Sequence, residues 1–143
     1  MKGRTLVTTC LAALLATSCS KGDPVQYGAG SKDELLLALE RAARERSMDR
    51  FLSLTCWPRL PSSLKDRFRA TTPGFMTKQL ESVRFDDAKE DHLAKQREYK
   101  WNVNFLGYIE MKYQGDEEPL ELPYGEFQGR YYLATTVRAD REF

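Results

Sequence analysis

After residue 30, apolar side chains recur every three or four positions, the spacing that places them along one side of a helix. Ser31 and Glu34 stand at the start of this pattern as a capping box: the serine oxygen accepts from the Glu34 amide, and the glutamate reaches back to the Ser31 amide. The spacing therefore predicts a helix that begins directly after Ser31. Its buried stripe is expected to consist of Leu35, Leu36, Leu39, Ala42 and Ala43.

Shorter helical patterns follow the first one. The segment from Met48 to Trp57 carries apolar residues at helical spacing and ends at a proline, which cannot continue a helix. A third helix is predicted after Pro61-Ser62. Thr72-Pro73 indicates one further helical turn, because proline suits the first position of a helix.

Beyond Leu80 the apolar period changes from helical to two, the alternation of a strand with one buried side. Val83 and Phe85 alternate with polar neighbours and predict a short strand. The segment 90–97 (EDHLAKQR) is mostly charged and is interpreted as a turn or a solvated helical turn.

The longest alternation runs from Tyr99 to Tyr113 and predicts one continuous strand with a bend or bulge at Gly107. Two returning strands are predicted after it, from Leu120 to Phe127 and from Arg130 to Val137. Helices first and an antiparallel meander last make an α+β domain. The turns between these strands are expected at Gly115-Asp116 and Gln128-Gly129.

Composition limits the partners of this domain. The chain has 143 residues, with 22 Lys and Arg against 21 Asp and Glu, which is the size of one ordinary domain with a net charge of +1. Because there is no basic excess to neutralise phosphates, nucleic acid is not an expected partner. The 7 Tyr, 7 Phe and 2 Trp indicate a core rich in aromatic side chains.

The first 18 residues have the pattern of a targeting segment. Two basic residues precede an apolar run from Leu6 to Ala16, which is too short to serve as a membrane-spanning helix. The run leads through Thr17-Ser18 into Cys19, which resembles the lipobox of bacterial lipoproteins. The resemblance implies a signal peptide at 1–18 and a Cys19 that carries diacylglycerol and a further acyl chain such as palmitate. An ordinary secretory signal with Cys19 as a free thiol is the alternative.

The same resemblance indicates where the protein is located. By the sorting rule of Gram-negative lipoproteins, Ser20 rather than aspartate after the cysteine implies the outer membrane of the cell envelope, facing the periplasm. The lipid anchor makes the membrane an expected partner. Residues 19–30 form the lipidated cysteine and a glycine-rich tether, whose reach from Lys21 to Gly30 is at most about 33 to 36 Å. The remainder, 31–143, is expected to be a single domain.

Cysteine use excludes an intramolecular disulfide in the mature chain. Cys10 leaves with the signal and Cys19 carries lipid, so Cys56 remains alone. Its neighbours Leu54 and Trp57 predict a small buried side chain. A reactive nucleophile or an intermolecular bridge is the alternative.

The order of elements resembles a known superfamily. A capped N-terminal helix, a second helix carrying SMDRFLSL at 47–54, and long bent strands ending in GRYYL at 129–133 are similar to the NTF2-like, cystatin-like α+β cone. The resemblance covers about residues 31–138 and includes no diagnostic catalytic motif. It implies a strongly curved antiparallel sheet that wraps the N-terminal helix and leaves a pocket open at one end. Members include isomerases, dehydratases, transport factors and lipid-anchored proteins.

Few residues offer catalytic chemistry. An acid–base enzyme on such a cone needs an ionisable group directed into the pocket, and Asp87 is the best candidate because it shares the parity of Val83 and Phe85. A strand-end aspartate in water is the alternative. His92, the only histidine, lies in the charged segment and is expected to be exposed, without a catalytic role. Because there is no second histidine and no free cysteine pair, a zinc site would lack ligands, and neither a metal site nor a cofactor is predicted.

Aromatic residues offer a binding pocket instead. An apolar cavity with a few phenols suits a small amphipathic ligand, and filling of the core is the alternative. Tyr108 and Tyr132 lie on the opposite parity and would form a partner surface if both faced solvent. The candidate pocket residues are Tyr99, Trp101, Phe105, Met111 and Tyr131.

These patterns favour a lipid-anchored protein of the envelope that binds an envelope protein or a small apolar ligand without catalysis. The alternative is a small-molecule isomerase or dehydratase with Asp87 as base and a tyrosine as hydrogen-bond donor. A periplasmic inhibitor or carrier is a third hypothesis.

Overall fold

The computed structural model of the protein describes residues 27–57, 62–71, 77–87 and 99–138. Helices come first, strands come last and the antiparallel sheet is strongly curled, so the predicted α+β class is confirmed. The helices are α1 (Lys32–Arg44), α2 (Met48–Ser53) and α3 (Ser62–Thr71). The strands are β1 (Leu80–Asp87), β2 (Tyr99–Trp101), β3 (Asn104–Tyr113), β4 (Leu120–Phe127), β5 (Arg130–Leu133) and β6 (Thr136–Arg138).

Four strands form the main sheet in the order β1-β3-β4-β5, with antiparallel neighbours. β2 and β6 pair in a separate two-stranded antiparallel sheet. The β5 edge of the main sheet is covered, because Tyr131 exchanges two backbone hydrogen bonds with Ala29 and Leu133 forms a bridge with Thr55. The segments before α1 and after α2 therefore close one side of the sheet.

α1 begins where the capping pattern predicts. Ser31 Oγ accepts from the Glu34 amide at 3.2 Å. The reciprocal bond differs from the prediction, since the Glu34 carboxylate accepts from the Gly30 amide at 2.8 Å rather than from the amide of Ser31. The glutamate therefore ties the residue before the cap to the first turn of the helix.

The apolar stripe of α1 packs against the inner side of the main sheet. Leu35 and Leu39 are 0% exposed, as are Ile109 and Met111 of β3. Phe51 of α2 is also 0% exposed and joins the same core. Each of these large side chains contributes roughly 1.5 to 3 kcal/mol by leaving water. The space between α1 and the sheet is therefore occupied by the protein's own side chains.

The prediction of one continuous strand from Tyr99 to Tyr113 is wrong. β2 and β3 are separated at Asn102, whose side chain is buried and only 2% exposed. Asn102 Nδ2 donates to Cys56 O at 2.7 Å, and Asn102 Oδ1 accepts from the Thr135 amide at 3.0 Å. A buried amide group needs partners at both ends, and Asn102 obtains them by connecting two other segments of the chain.

The last predicted strand, from Arg130 to Val137, is also divided. β5 ends at Leu133, β6 begins at Thr136, and the connection between them contacts Asn102 through the Thr135 amide. Both interruptions lie at one corner, where the chain passes from the main sheet to the two-stranded sheet. Alternation alone does not reveal this corner, because a period of two continues wherever a strand keeps one buried side.

Gly107 lies at a β-bulge, as the sequence predicts. Phe105 pairs with Gly125 of β4, and Gly107 pairs with the adjacent residue Tyr124. Two steps along β3 therefore correspond to one step along β4. The extra residue reverses the alternation, so Phe105 lies on the side of the sheet opposite Ile109. Alternation therefore identifies the inner side correctly from Gly107 onward and assigns Phe105 to the wrong side.

A second, smaller cluster packs on the other side of the sheet at its β4–β5 end. Cys56 is 0% exposed, which confirms the predicted burial of this thiol. Gly125 allows the backbone to approach closely here, because a Cβ at this position would clash with the carbonyl oxygen of Asn104. The buried residues of this second cluster are Cys56, Val103, Tyr132 and Ala134.

The remaining helices and strands agree with the sequence pattern to different degrees. α2 ends at Ser53, before the predicted limit at Trp57, because the next residues pair with β5 through a hydrogen bond from the Leu133 amide to Leu54 O. α3 follows Pro61, and β1 and β4 form where predicted.

Several predictions concern residues outside the described part of the chain. These are the helical turn at Thr72-Pro73, the charged segment 90–97, and the signal peptide with Cys19. Among the described residues, no helix is long and apolar enough to cross a membrane.

Candidate functional site

The five candidate pocket residues do not lie together. Met111 is 0% exposed within the main core, and Tyr131 is half-buried against the same core. Trp101 and Phe105 are half-buried on the opposite side of the sheet, and Tyr99 is 38% exposed. The set is therefore divided between the inner side of the main sheet and the corner near β2.

Three aromatic rings form a group at this corner. The ring centroids of Trp101 and Phe105 lie 4.2 Å apart in a stacked arrangement. Tyr108 meets both rings edge-on, with its centroid 5.2 Å from that of Phe105 and 6.5 Å from that of Trp101. Such pairs stabilise a fold by roughly 0.5 to 1.5 kcal/mol beyond the area they bury. The group forms because the bulge brings Phe105 to the side of Tyr108.

Tyr132 does not form a solvent-facing surface with Tyr108. Tyr132 is 5% exposed within the second cluster, and Tyr108 is half-buried in the aromatic group. The partner surface that would require both phenols in solvent is therefore not present in this structure.

The other residues considered for chemistry are placed as follows. Asp87 is the last residue of β1 and its backbone pairs with Gly107, but its side chain lies outside the described part of the structure, as does all of His92. Cys56 Sγ lies 4.0 Å from Asn102 O and is enclosed by the protein, which is unfavourable for a nucleophile that must meet a substrate.

Charged side chains gather on the side of β1, β3 and β4 that points away from α1. Strand register brings them together, because Glu110 of β3 lies between Arg84 of β1 and Glu121 of β4. Asp86 of β1 is opposite Tyr108, and the carboxylates of Asp86, Glu110 and Glu121 bring oxygens within 4.8 Å of one another. We call this surface the outer sheet face. It comprises Ser82, Arg84, Asp86, Tyr108, Glu110, Lys112 and Glu121.

Glu110 is a buried carboxylate on this face, with 8% of its surface exposed. Its Oε2 accepts a hydrogen bond from Arg84 Nε, and the side chain of Arg84 is itself 73% exposed. A buried carboxylate requires such a partner, since removal from water disfavours its charge. The pair therefore holds Glu110 against the sheet and presents part of the guanidinium to solvent.

Two neighbouring hollows open on the outer sheet face. Arg84, Glu110 and Pro119 border both of them, so the hollows adjoin one another. The first has a volume of about 330 Å³ and is also lined by Ser82 and Lys112. The second has a volume of about 510 Å³ and is also lined by Glu118, Leu120 and Glu121.

Tyr108 lies beside the carboxylates of this face. Burial raises the pKa of its phenol above the ordinary value, and the negative charge of Glu121 and the phenol of Tyr99 raise it further. Tyr108 therefore keeps its proton at neutral pH and can serve as a hydrogen-bond donor.

The chemistry of the outer sheet face suits charged polar groups. Its carboxylates accept charge-assisted hydrogen bonds from ammonium or guanidinium groups, and Arg84 offers the complementary interaction to a carboxylate. The oxygens of Asp86, Glu110 and Glu121 are also of the type that hard divalent cations prefer. At Glu110 such a cation would compete with the guanidinium of Arg84.

Sequence reasoning missed this site. Alternation places Glu110 on the polar side of β3 and predicts exposure, whereas the strand register buries it between Arg84 and Glu121. The signal that could have found it is a pair of opposite charges on neighbouring strands, which favours cross-strand pairing. Conclusions about function depend on this chain's own sequence and geometry, since no protein-family model, curated protein or solved structure was found to match it.

Proposed function

We propose that this protein is a lipid-anchored protein of the bacterial envelope whose NTF2-like domain binds a protein partner without catalysis. Acyl chains on Cys19 would hold it at the outer membrane, facing the periplasm. The anchor is supported by the apolar run from Leu6 to Ala16 and the small residues that lead into Cys19. Two or more acyl chains give stable attachment, at roughly 0.8 kcal/mol per buried methylene.

The observation that carries the non-catalytic role is the filled inner side of the main sheet. Leu35 and Leu39 of α1 meet Ile109 and Met111 of β3, and all four are 0% exposed. A cone-type isomerase or dehydratase would need this volume for its substrate, with a base such as Asp87 directed into it. Core side chains occupy the volume instead, which favours binding on an outer surface over turnover in an interior pocket.

The outer sheet face is the surface that we assign to binding. Its adjoining hollows, of about 330 and 510 Å³, are bordered by the ion pair of Arg84 and Glu110. Lys112 and Glu121 add one charge of each sign. A surface with both charges fits a polar segment of a protein better than it fits a small apolar ligand.

Intact-mass analysis of the full chain, expressed in a Gram-negative host and extracted from membranes, tests the anchor. We expect cleavage before Cys19 and the added mass of acyl groups. Cys19→Ser should lose the acyl mass and move the protein from the membrane fraction to the soluble periplasmic fraction. A wild-type protein with an unmodified Cys19 thiol would rule out the anchor.

The binding surface is tested in the same cells with a photo-crosslinking amino acid. Position 82, an exposed serine of the outer sheet face, is compared with position 33, an exposed aspartate at the start of α1. We expect a defined protein adduct from position 82 that is absent from position 33. No adduct at position 82, or the same adduct at both positions, would contradict the assignment.

A further inference from the structure

The two edges of the main sheet differ. The β5 edge is covered by the segments around Ala29 and Thr55. The other edge is β1, whose backbone pairs with β3 on one side. In the part of the chain that the structure describes, no backbone group forms a hydrogen bond with the opposite side of β1 between Ser82 and Phe85. The amides and carbonyls on that side can therefore accept a further strand.

β1 is long and regular for an edge strand. It has eight residues, and it contains neither the proline nor the lysine that often prevents an edge from pairing. Its register with β3 is irregular at the start and continuous from Ser82 onward. On its inner side Val83 and Phe85 are half-buried, whereas Ile109 and Met111 of β3 are 0% exposed. A strand added beside β1 would cover part of these two side chains.

Symmetry restricts how two copies of this chain can pair through β1. In an antiparallel pair with a two-fold axis, a central residue lies opposite its own copy, and the neighbouring residues pair in order around it. Directly opposite residues point to the same side of the sheet, so both copies keep their inner sides together. Each possible register is therefore defined by its central residue.

The charges of β1 select one of these registers. A register centred on a charged residue places that residue opposite its own copy, which is unfavourable. A register centred on an uncharged residue before Arg84 opposes no charged pair. Centring on Phe85 places Arg84 opposite Asp86 of the other copy, and symmetry repeats this attraction on the other side of the axis. The charged residues of the strand are Glu81, Arg84, Asp86 and Asp87.

The side chains near Phe85 suit this register. On the inner side Phe85 meets its own copy, and aromatic pairs opposite one another stabilise a sheet. On the outer side Arg84 Nε donates to Glu110, and the arginine side chain is 73% exposed, so its Nη groups can donate across the axis. The arginines and the Asp86 carboxylates of the two copies then alternate in sign around the axis, with unlike charges as nearest neighbours.

We propose that a second copy of this chain pairs with β1 in this register. Residues 83–87 of each copy form an antiparallel ladder, and the two main sheets of four strands join into one sheet of eight. Backbone hydrogen bonds hold the copies together, and the opposed charges set the register. The two outer sheet faces become one continuous surface with two equivalent sets of hollows. This pairing requires neither the lipid anchor nor the protein partner proposed above.

Sedimentation of the purified full chain in detergent tests the pairing. We expect a dimer whose fraction rises with protein concentration. Asp86→Lys places a lysine opposite Arg84 on both sides of the axis and should weaken the dimer roughly tenfold or more. Within its own chain the new lysine lies near the carboxylates of Glu110 and Glu121, which should preserve the fold. Glu121→Lys is the matched control, because it makes the same charge change at an exposed position of β4, two strands from the edge.

The distance between two spin labels tests the register. The label is attached through Ser82→Cys, an exposed position outside the five paired residues. Six residue steps along the strand direction separate position 82 from its copy, which is about 20 Å between the two Cα atoms. A register centred on Arg84 would give four steps, or about 14 Å. The unsubstituted protein, treated with the same label, gives the background from native cysteines.

The outcomes are distinct. Monomers throughout the micromolar range would overturn the proposal. A dimer that both lysine variants weaken equally, or that neither weakens, would place the interface elsewhere and would also overturn it. A label distance that disagrees with six steps would overturn the register. If Asp86→Lys does not fold, the label distance in protein with the native Asp86 decides the question.

Discussion

Tyr113 couples the core of this protein to pH through one phenol. Its side chain is 1% exposed, and its hydroxyl lies 4.0 Å from the Sδ atom of Met111. Burial raises the pKa of this phenol to about 12, and the negative charge of Asp116 adds to the effect. The folded state therefore favours the neutral phenol more strongly than the unfolded chain does, in which tyrosine titrates near pH 10.

Stability should consequently fall in alkaline solution. The contribution of Tyr113 is fully present below about pH 10 and is lost as pH rises from about 10 to 12, by roughly 2 to 3 kcal/mol in the free energy of unfolding. Urea unfolding measured across this pH range checks the slope. Tyr113→Phe should flatten it, whereas Tyr27→Phe, at a 63% exposed position, should not. An unchanged slope in Tyr113→Phe would show that other groups cause the alkaline loss.

Single residues were predictable where their role is local. The capping role of Ser31 depends on a spacing of three residues, and the burial of Cys56 follows from its apolar neighbours. Glu110 could not be predicted in the same way, because its burial depends on strands that are distant in sequence. The burial of Glu110 on the outer sheet face therefore follows only from the register of β1, β3 and β4.

At the scale of elements, Asn102 joins the two sheets. It links Cys56 O, in the segment after α2, to the Thr135 amide between β5 and β6. The Cys56 carbonyl and the Thr135 amide lie in connecting segments rather than in paired strands. The side chain of Asn102 therefore supplies the hydrogen bonds that a neighbouring strand would supply in a continuous sheet.

Loss of this side chain should therefore be costly. Asn102→Ala leaves the buried carbonyl of Cys56 and the partly buried amide of Thr135 without their partner and should lower the free energy of unfolding by about 2 to 4 kcal/mol. Asn104→Ala is the matched control, because Asn104 is exposed and its replacement should change stability by less than about 0.5 kcal/mol. Chemical denaturation of both variants measures the difference. Equal stabilities would show that water or rearrangement replaces the two hydrogen bonds.

The elements that the sequence predicts well are those with local signals. The turn at Gln128-Gly129 uses two residues with positive φ, of 52° and 76°, and the bulge at Gly107 follows from a glycine inside a long alternation. The corner at Asn102 has no such signal, since asparagine is also common on exposed strand positions. One continuous strand was therefore predicted where the protein has two.

At the scale of the whole molecule, the two sheets should differ in stability. The main sheet packs against α1, and the side chains of β3 that face α1 are buried. In contrast, β2 and β6 pair through three residues each. A short two-stranded sheet is marginal without support from neighbouring layers, and the side chain of Asn102 connects this pair to the rest of the domain through its hydrogen bond to Cys56 O.

Amide hydrogen exchange should reveal this difference. We expect the paired amides of β2 and β6 to exchange faster than those of β3 and β4, because they open locally without unfolding the main core. Asn102→Ala should increase the exchange rate of β2 and β6 further and change β3 much less. Equal protection across the two sheets would mean that the domain opens only as one unit.

The way in which the chain enters the domain has a mechanical consequence. Ala29 and Tyr131 exchange two backbone hydrogen bonds at 2.9 Å each. Arg130 donates hydrogen bonds to the carbonyl oxygens of Tyr27 and Gly28, the two residues before Ala29. A force applied to the N-terminal segment would therefore act on its hydrogen bonds to β5 and to Arg130 before it reached α1. The capped helix and the core beneath it are insulated from such a pull, and the first bonds to rupture would be those that Tyr27 and Gly28 make with Ser53 O and with Arg130, before those of Ala29.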